Sequence, residues 1–125
     1  MSEYKLVIPY TLPGLNEYTS SNRRHAQAGA RLKRDAESDI AAVIASQLRG
    51  VKISGSVHMA YLWVEKDMRR DGDNISSAGR KFIQDALVNA GVLANDSRKY
   101  ITGFTDAFEV DKNNPRIEVI ITQDI

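Results

Sequence analysis

Apolar residues recur at two different spacings along the chain, and these spacings predict where its strands and helices lie. Strict alternation of apolar residues from Val51 to Trp63 is typical of a strand with one buried face. The segment from Tyr4 to Thr11 also has a strand-like pattern. Between these two strands, residues 12–26 are polar and predict a long loop, a kind of segment that is usually functional or mobile.

Two other segments repeat apolar residues at helical spacing. The first predicts a helix from about Ala28 to Leu48. The second predicts a helix that starts at Asp73 or Asn74, both good N-cap residues. This helix should stop at Gly91, because the left-handed conformation of a C-cap favours glycine.

The last third of the chain predicts two strands, from Tyr100 to Val110 and from Arg116 to Thr122, with a hairpin loop at the sequence DKNNP between them. The order of elements is then β-α-β-α-β-β. We therefore expect one domain, residues 1–125, of the α+β (mixed α/β) class. Its core should be one mixed sheet of about four strands packed against two helices.

The composition suits a single soluble domain. Apolar residues make up 42% of the 125 positions and charged residues 26%. The absence of cysteine excludes disulfides and thiolate metal sites. No apolar run approaches the about 18 residues that a membrane span needs, and the N-terminus has no signal-peptide pattern. We expect a soluble cytoplasmic protein with no membrane partner.

The net charge is only +1, but the positive charges cluster. Residues 22–34 contain five basic residues and no acid. Such clustering would give a nearly neutral protein a surface for phosphates, or else it is a solvated helix face with mixed charges. The basic residues in and around these clusters are Arg23, Arg24, Arg31, Lys33, Arg34, Lys66, Arg69, Arg70, Arg80, Lys81, Arg98 and Lys99.

Two carboxylates, Asp71 and Asp73, stand where a strand pattern stops and a helix pattern begins. Together they could hold Mg²⁺ or Mn²⁺, which prefer oxygen ligands and retain waters, and the helix N-terminus would attract phosphate. Asn74 could orient an aspartate or add a neutral oxygen ligand. An EF-hand is excluded, because Ile75 and Phe82 occupy positions where that loop needs liganding side chains. The alternative is a turn plus an N-cap, with Asp71 merely solvated.

The ordered set of motifs in RRDGDN and KFIQDALVNAGVLANDSRKY resembles the RusA family of Holliday-junction resolvases. That family has an Asp-x-Asp-Asn motif, a lysine, Asp-Ala-Leu, Ala-Gly and then an acidic pair. The elements on both sides also fit, from YKLVIPYTLPGLNEY to PRIEVIIT, so the resemblance covers nearly the whole chain. The matching residues here are Asp71, Asp73, Asn74, Lys81, Asp85, Ala86, Leu87, Ala90, Gly91, Asn95 and Asp96.

The resemblance implies a homodimeric, Mg²⁺-dependent endodeoxyribonuclease that resolves Holliday junctions and related branched DNA in recombination and repair. It implies Asp71, Asp73 and Asp96 as catalytic metal ligands and Lys81 as the catalytic lysine, with Asn74 and Asp85 in support. The sequence departs from the family at two places. The family's lysine usually occupies the position of Ser77, one helical turn earlier, and Asn95 replaces the first acid of the pair.

The spacing of the carboxylates raises a geometric difficulty. Residues 74–90 would span about 25 Å as a helix, so Asp73 and Asp96 would lie at opposite ends. Either the loop after the helix doubles back, or the helix is shorter than its pattern, or a second chain supplies Asp96. Two copies related by a two-fold axis, with antiparallel helices, would bring Asp73 of one near Asp96 of the other.

The sequence thus predicts a metal-dependent endonuclease whose aspartates hold Mg²⁺ and whose basic residues hold DNA phosphates. An alternative is a non-catalytic DNA-junction-binding protein whose aspartates only form a turn and a cap. Lys81 would then be an exposed partner of Asp85 at i,i+4 spacing. A nucleotide phosphohydrolase has less support, because no Walker loop or zinc-ligand cluster is present. The predicted DNA-binding residues are Arg23, Arg24, Lys33, Arg69 and Arg70.

Overall fold

The computed structural model describes residues 2–124, and it confirms the predicted α+β class with one mixed four-stranded sheet. It contains three helices in this part of the chain, one more than the sequence predicts. None of these helices is long and apolar enough to cross a membrane. In chain order the elements are β1 (Glu3–Ile8), α1 (Leu15–Arg24), α2 (Ala26–Gln47), β2 (Val57–Glu65), α3 (Gly72–Asn89), β3 (Ile101–Val110) and β4 (Arg116–Gln123).

The sheet has the strand order β1-β4-β2-β3, which overturns the predicted hairpin between the last two strands. Strand β2 pairs in parallel with β3 on one side and antiparallel with β4 on the other. The loop between β3 and β4 therefore passes across the end of β2, where the Asp111 amide donates to the Glu65 carbonyl at 2.8 Å. Turn residues predict a chain reversal, but which strands then pair depends on how strongly each strand is buried. Strand β2 is buried along one whole face and takes a central position.

Helix α1 occupies most of the segment that the sequence predicts to be a loop. Its polar sequence has little apolar periodicity, so its stability comes from tertiary contacts. The Tyr18 ring packs edge-on against Phe82 of α3 with their centroids 5.6 Å apart. Gly29 of α2 lets the two helices approach closely, because a Cβ at that position would clash with the Asn22 side chain. Packing has thus decided a helix that propensity alone did not indicate.

The core lies between the sheet and the helices, and α3 contributes most to its helical side. Trp63 of β2 is almost fully buried, and its ring leaves no room for a side chain at position 79. A Cβ on Gly79 would lie 2.8 Å from the Trp63 ring. This close approach accounts for a glycine that otherwise costs about 1 kcal/mol relative to alanine inside a helix. It also fixes how α3, and with it the candidate site, sits on the sheet.

Candidate functional site

The start of α3 holds the two predicted metal ligands, Asp71 and Asp73. The helix begins at Gly72, so its N-cap is Asp71 rather than the predicted Asp73 or Asn74. The Asp71 carbonyl accepts from the Ile75 amide at 3.0 Å, but the Asp71 side chain makes no capping hydrogen bond. Both aspartates are exposed, and neither carboxylate makes an ion pair or hydrogen bond with any residue from 2 to 124. Each can therefore accept an external ligand.

The helix starts at Gly72 because a strand residue packs against that position. A Cβ on Gly72 would lie 3.1 Å from the Cζ atom of Phe108 in β3. Asp71 before it is extended, with φ −71° and ψ 153°, and turns the chain out of the β2–α3 loop. The two carboxylates on either side of Gly72 are consequently held at the edge of the sheet, next to the positive end of the α3 dipole.

Asn74 has a role that the sequence did not indicate. Its Oδ1 atom accepts a hydrogen bond from the Asn16 amide in the first turn of α1, at 2.7 Å. The N-cap of α1 is Gly14, which has no side chain to satisfy that turn, so Asn74 serves as the cap from another helix. Gly14 also makes room for it, because a Cβ there would lie 2.8 Å from the Asn74 amide group. Asn74 thus joins the starts of α1 and α3.

Asp96 lies against the middle of α3, because the loop after the helix doubles back. The amides of Val92 and Leu93 both donate to the Leu87 carbonyl, at 3.0 and 3.3 Å, and both side chains are buried. The helix itself keeps nearly its predicted length, ending at Asn89. Of the three explanations for the spacing of the carboxylates, the structure shows the doubled-back loop.

A cluster of ion pairs surrounds Lys81. Its Nζ atom lies 2.6 Å from Asp96 Oδ2 and 3.1 Å from Asp85 Oδ1, and Lys33 Nζ of α2 lies 3.1 Å from Asp85 Oδ2. The hydrogen bond from Lys81 lowers the pKa of the Asp96 carboxyl, and the two carboxylates raise the pKa of the Lys81 ammonium. Burial raises the pKa of the neighbouring Glu37. We call Lys33, Lys81, Asp85 and Asp96 the closed cluster, because each of these charges already has a partner.

The structure does not bring all the predicted catalytic residues together within one chain. Eight helical residues separate Asp73 from Lys81, a rise of about 12 Å. Within residues 2–124, no group of three or more histidine, cysteine, aspartate or glutamate side chains is placed to hold a metal ion. Asp71 and Asp73 therefore form an open carboxylate pair, and Asp96 belongs to the closed cluster.

The predicted DNA-binding residue Arg70 is held inside the protein. Its Nε and one terminal nitrogen both lie 2.8 Å from the carboxylate oxygens of Glu65, and its other terminal nitrogen lies 3.0 Å from the Leu12 carbonyl. This hydrogen bonding raises the pKa of Arg70. The Glu65 side chain is only 11% exposed, so the pair joins β2 to the segment before α1. No feature of the sequence identifies Glu65 as this partner.

Other basic residues differ in how free they are. Arg69 is 85% exposed at its side chain, with only a 3.6 Å contact to Asp67. Arg23 and Arg24 end α1, are exposed and have no acidic partner among residues 2–124. Arg80, in contrast, pairs with Asp106 and lies over the Phe104 ring, 4.4 Å from its centroid.

Comparison with protein-family models and with curated proteins gives no match to this chain. The chemistry of the site must therefore be argued from its residues. They comprise an open carboxylate pair at a helix N-terminus, three free arginines, and a closed cluster about two helical turns away.

Proposed function

We propose that this chain is a Mg²⁺-dependent endodeoxyribonuclease of the RusA type, which resolves Holliday junctions and related branched DNA in the cytoplasm during recombination and repair. The observation that carries the proposal is the open carboxylate pair. Asp71 and Asp73 are exposed at the start of α3 and have no partner within the described chain. Acidic side chains that serve only the fold usually have a hydrogen-bond or ion-pair partner, as Asp85, Asp96 and Asp106 do here.

The open carboxylate pair fits Mg²⁺, and Mn²⁺ as a substitute. Mg²⁺ is commonly held by one or two carboxylates, with waters and substrate phosphates completing its shell. Asp71 and Asp73 supply that number of ligands, and the amides at the start of α3 favour an adjacent phosphate. When bound there, the ion would supply Lewis-acid stabilisation of the charge that develops on the phosphate.

Lys81 is the residue that we assign to the charge of the reacting phosphate, beside Asp71 and Asp73. Its side chain is 55% exposed, and exposed ion pairs contribute only about 0–1 kcal/mol, so a phosphate can take the ammonium from Asp96 and Asp85. Turning toward Ser77, where the RusA-type lysine usually stands, covers about half of the 12 Å rise between Lys81 and Asp73. Asp96 and Asp85 then hold the lysine ready in the absence of DNA.

The phosphate contacts that we propose are those of Arg23, Arg24 and Arg69, because their charges are exposed and unneutralised. Contacts of this kind position DNA without reading its sequence. Lys33 and Arg70, which the sequence also suggests, are occupied by Asp85 and Glu65. We assign these two to the framework of the site.

The homodimer that this function requires has a suitable surface at the outer edge of β3. Four of the five exposed large apolar side chains in the described chain lie on β3 or beside its end. The opposite edge of the sheet is protected, because the Gln47 amide makes hydrogen bonds of 2.7 and 2.6 Å with the backbone of Val7 in β1. Edge β3 has no lysine, arginine or proline. Its four exposed apolar side chains are Met68, Phe104, Phe108 and Val110.

A second copy of the chain is the partner that suits this edge. Antiparallel pairing of two β3 strands about a two-fold axis would satisfy both edges with the same surface. DNA is a poor alternative, because β3 carries two acids, Asp106 and Glu109, and no basic residue. Replacing Phe104 and Phe108 by lysine should convert the dimer to a monomer in sedimentation experiments, and an unchanged mass would exclude this interface.

The second candidate function is binding to DNA junctions without cleavage. It is favoured by the absence of a three-carboxylate metal group among residues 2–124 and by the occupation of Lys81 in the closed cluster. In this case the free arginines would bind DNA, and Asp71 and Asp73 would only begin the helix.

Incubation of the purified protein with a synthetic four-way junction, with Mg²⁺ or with EDTA, separates the two functions. The endonuclease should produce symmetric nicks near the branch point only with Mg²⁺, and Mn²⁺ should substitute. A protein that shifts the junction in a gel but leaves it intact with either metal is a binding protein, and the nuclease proposal is then wrong.

A further inference from the structure

A groove of about 410 Å³ lies on the far side of α1 from Asp73, between the segment after β1 and helices α1 and α2. Its volume falls in the range of small-molecule sites. Leu12, Leu32 and Ala36 supply apolar walls. Neither the open carboxylate pair nor the closed cluster lines it, so it is distinct from the site described above.

A buried hydroxyl in this groove has no partner. The Oη atom of Tyr10 is inaccessible to solvent and makes no hydrogen bond with any residue from 2 to 124. Buried polar side-chain atoms are nearly always hydrogen-bonded, so each exception requires an explanation. Burial raises the pKa of the Tyr10 phenol, and the nearby Asp39 raises it further. The hydroxyl therefore keeps its proton and can donate to a ligand.

The charged residues of the groove are arranged with the two signs at different ends. Arg24 at the end of α1 and Arg31 on α2 supply the positive end. Asp35 and Asp39 lie one and two turns further along α2, about 6 and 12 Å from Arg31 along the axis. None of the four makes an ion pair within the described residues, although Arg31 and Asp35 have helical i,i+4 spacing. A ligand with an anion at one end and hydrogen-bond donors at the other would satisfy all four.

We propose that this groove binds a single unpaired nucleotide whose base carries an amino group. The phosphate lies between Arg24 and Arg31, the base lies against the apolar walls, and its amino group donates to Asp35 or Asp39. The Tyr10 hydroxyl donates to an acceptor on the base. Proteins read unstacked bases in this way, by hydrogen bonds to the base edge within a pocket. The proposal extends the branched-DNA function, since junctions expose unpaired bases, but its test requires no cleavage.

Isothermal titration calorimetry of the wild-type protein with mononucleotides tests the base preference. We expect dCMP and dAMP to bind about tenfold more tightly than dTMP, which has no amino group to donate to a carboxylate. Inorganic phosphate should bind as weakly as dTMP or more weakly. Equal binding of all four ligands would reduce the groove to an anion site and overturn the proposal, as would no binding of dCMP at millimolar concentration.

Variants connect the binding to the groove. Tyr10→Phe keeps the ring and should weaken dCMP about three- to tenfold, with an unchanged or higher Tm, because the hydroxyl has no partner to lose in the free protein. Tyr100→Phe, outside the groove, is the matched control and should bind as wild type. The double variant Arg24→Gln/Arg31→Gln should bind dCMP no better than wild type binds deoxycytidine. Wild-type affinity in both Tyr10→Phe and the double variant would overturn the proposal.

The failure of one proposal can be distinguished from the failure of the other. Asp73→Asn should bind dCMP as wild type does, because Asp73 does not line the groove. If dCMP binds with the expected preference but no junction is cut, the endonuclease proposal is wrong and the groove stands. If junctions are cut while dCMP does not bind, the groove proposal alone is wrong.

Discussion

The start and the middle of α3 hold similar acidic side chains in opposite states. At the start, Asp71 and Asp73 are exposed and unpaired. In the middle, Asp85 and Asp96 share the ammonium of Lys81, and Lys33 also contacts Asp85. The difference does not come from the residues themselves but from what surrounds them. The doubled-back loop and α2 bring partners to the middle of the helix, and nothing in residues 2–124 brings one to its start.

This difference separates charges that the fold uses from charges that it leaves for a ligand. Exposed ion pairs such as those of the closed cluster contribute about 0–1 kcal/mol each, so their loss should affect stability slightly. Asp71 and Asp73 make no such contact, and their loss should affect only what they bind. Arg69 and Arg70 repeat the comparison with positive charges, since Arg69 is free and Arg70 is paired with Glu65.

The largest expected effect comes from removing the open charges. Asp71→Asn or Asp73→Asn keeps the side-chain shape and should lower Mg²⁺-dependent junction cleavage by at least about 10³-fold, because Lewis-acid stabilisation is worth several kcal/mol. Junction affinity, measured by gel shift, should be kept or increased, since an acid that faces phosphate repels it. Glu3→Gln, at the opposite end of the sheet, is the control. Near wild-type cleavage by either aspartate variant would refute the metal assignment.

Lys81 tests whether the closed cluster opens during the reaction. Lys81→Ala should lower turnover by about 10²–10³-fold with junction affinity nearly unchanged, which is the cost of losing one preorganised charge at the phosphate. Ser77→Ala should be mild. Adding Ser77→Lys to the Lys81→Ala protein should restore part of the activity, because it places an amine one turn closer to Asp73. A fully active Lys81→Ala would leave Lys81 as a surface partner of Asp85 and Asp96.

The two neighbouring arginines should separate stability from DNA binding. Arg70→Gln should lower the free energy of unfolding by about 2–4 kcal/mol in urea denaturation, because it leaves the nearly buried Glu65 carboxylate unpaired. Arg69→Gln should change stability by less than about 0.5 kcal/mol but reduce the salt dependence of junction binding by about 0.9 in log–log slope. The reverse pattern would mean that Arg70, not Arg69, contacts DNA.

The smallest expected effect is a pH dependence from the closed cluster. Because Lys81 lowers the pKa of Asp96 in the folded protein, the pair stabilises the fold above the ordinary aspartate pKa of about 4 and ceases to do so as pH falls through the lowered value. Lys81→Ala should raise the pKa of Asp96 in a carboxyl NMR titration and cost at most about 1 kcal/mol near neutral pH. Ser77→Ala should leave the Asp96 titration unchanged. An unmoved Asp96 pKa in Lys81→Ala would show that the ion pair is absent in solution.

The elements that the sequence predicted correctly are those with strong apolar periodicity. Helices α2 and α3 and strand β2 each bury a continuous face, and Gly91 adopts the expected positive φ of 79°. Helix α1 was missed because its sequence is polar and its stabilising contacts, from Asn74 and Phe82, come from α3. The hairpin prediction was wrong because turn residues do not encode strand order.

The sequence by itself determined which residue types were available and where the periodic elements lie. It placed two carboxylates at the start of a helix and a lysine and two further acids beyond, because local spacing fixes positions along one element. Only the tertiary structure decided which of these charges are free. It paired Arg70 with Glu65, brought Asp96 back to Lys81 and left the Tyr10 hydroxyl without a partner. Such pairings join residues that are distant in sequence, and they depend on how the loops return to the sheet, which local propensity does not specify.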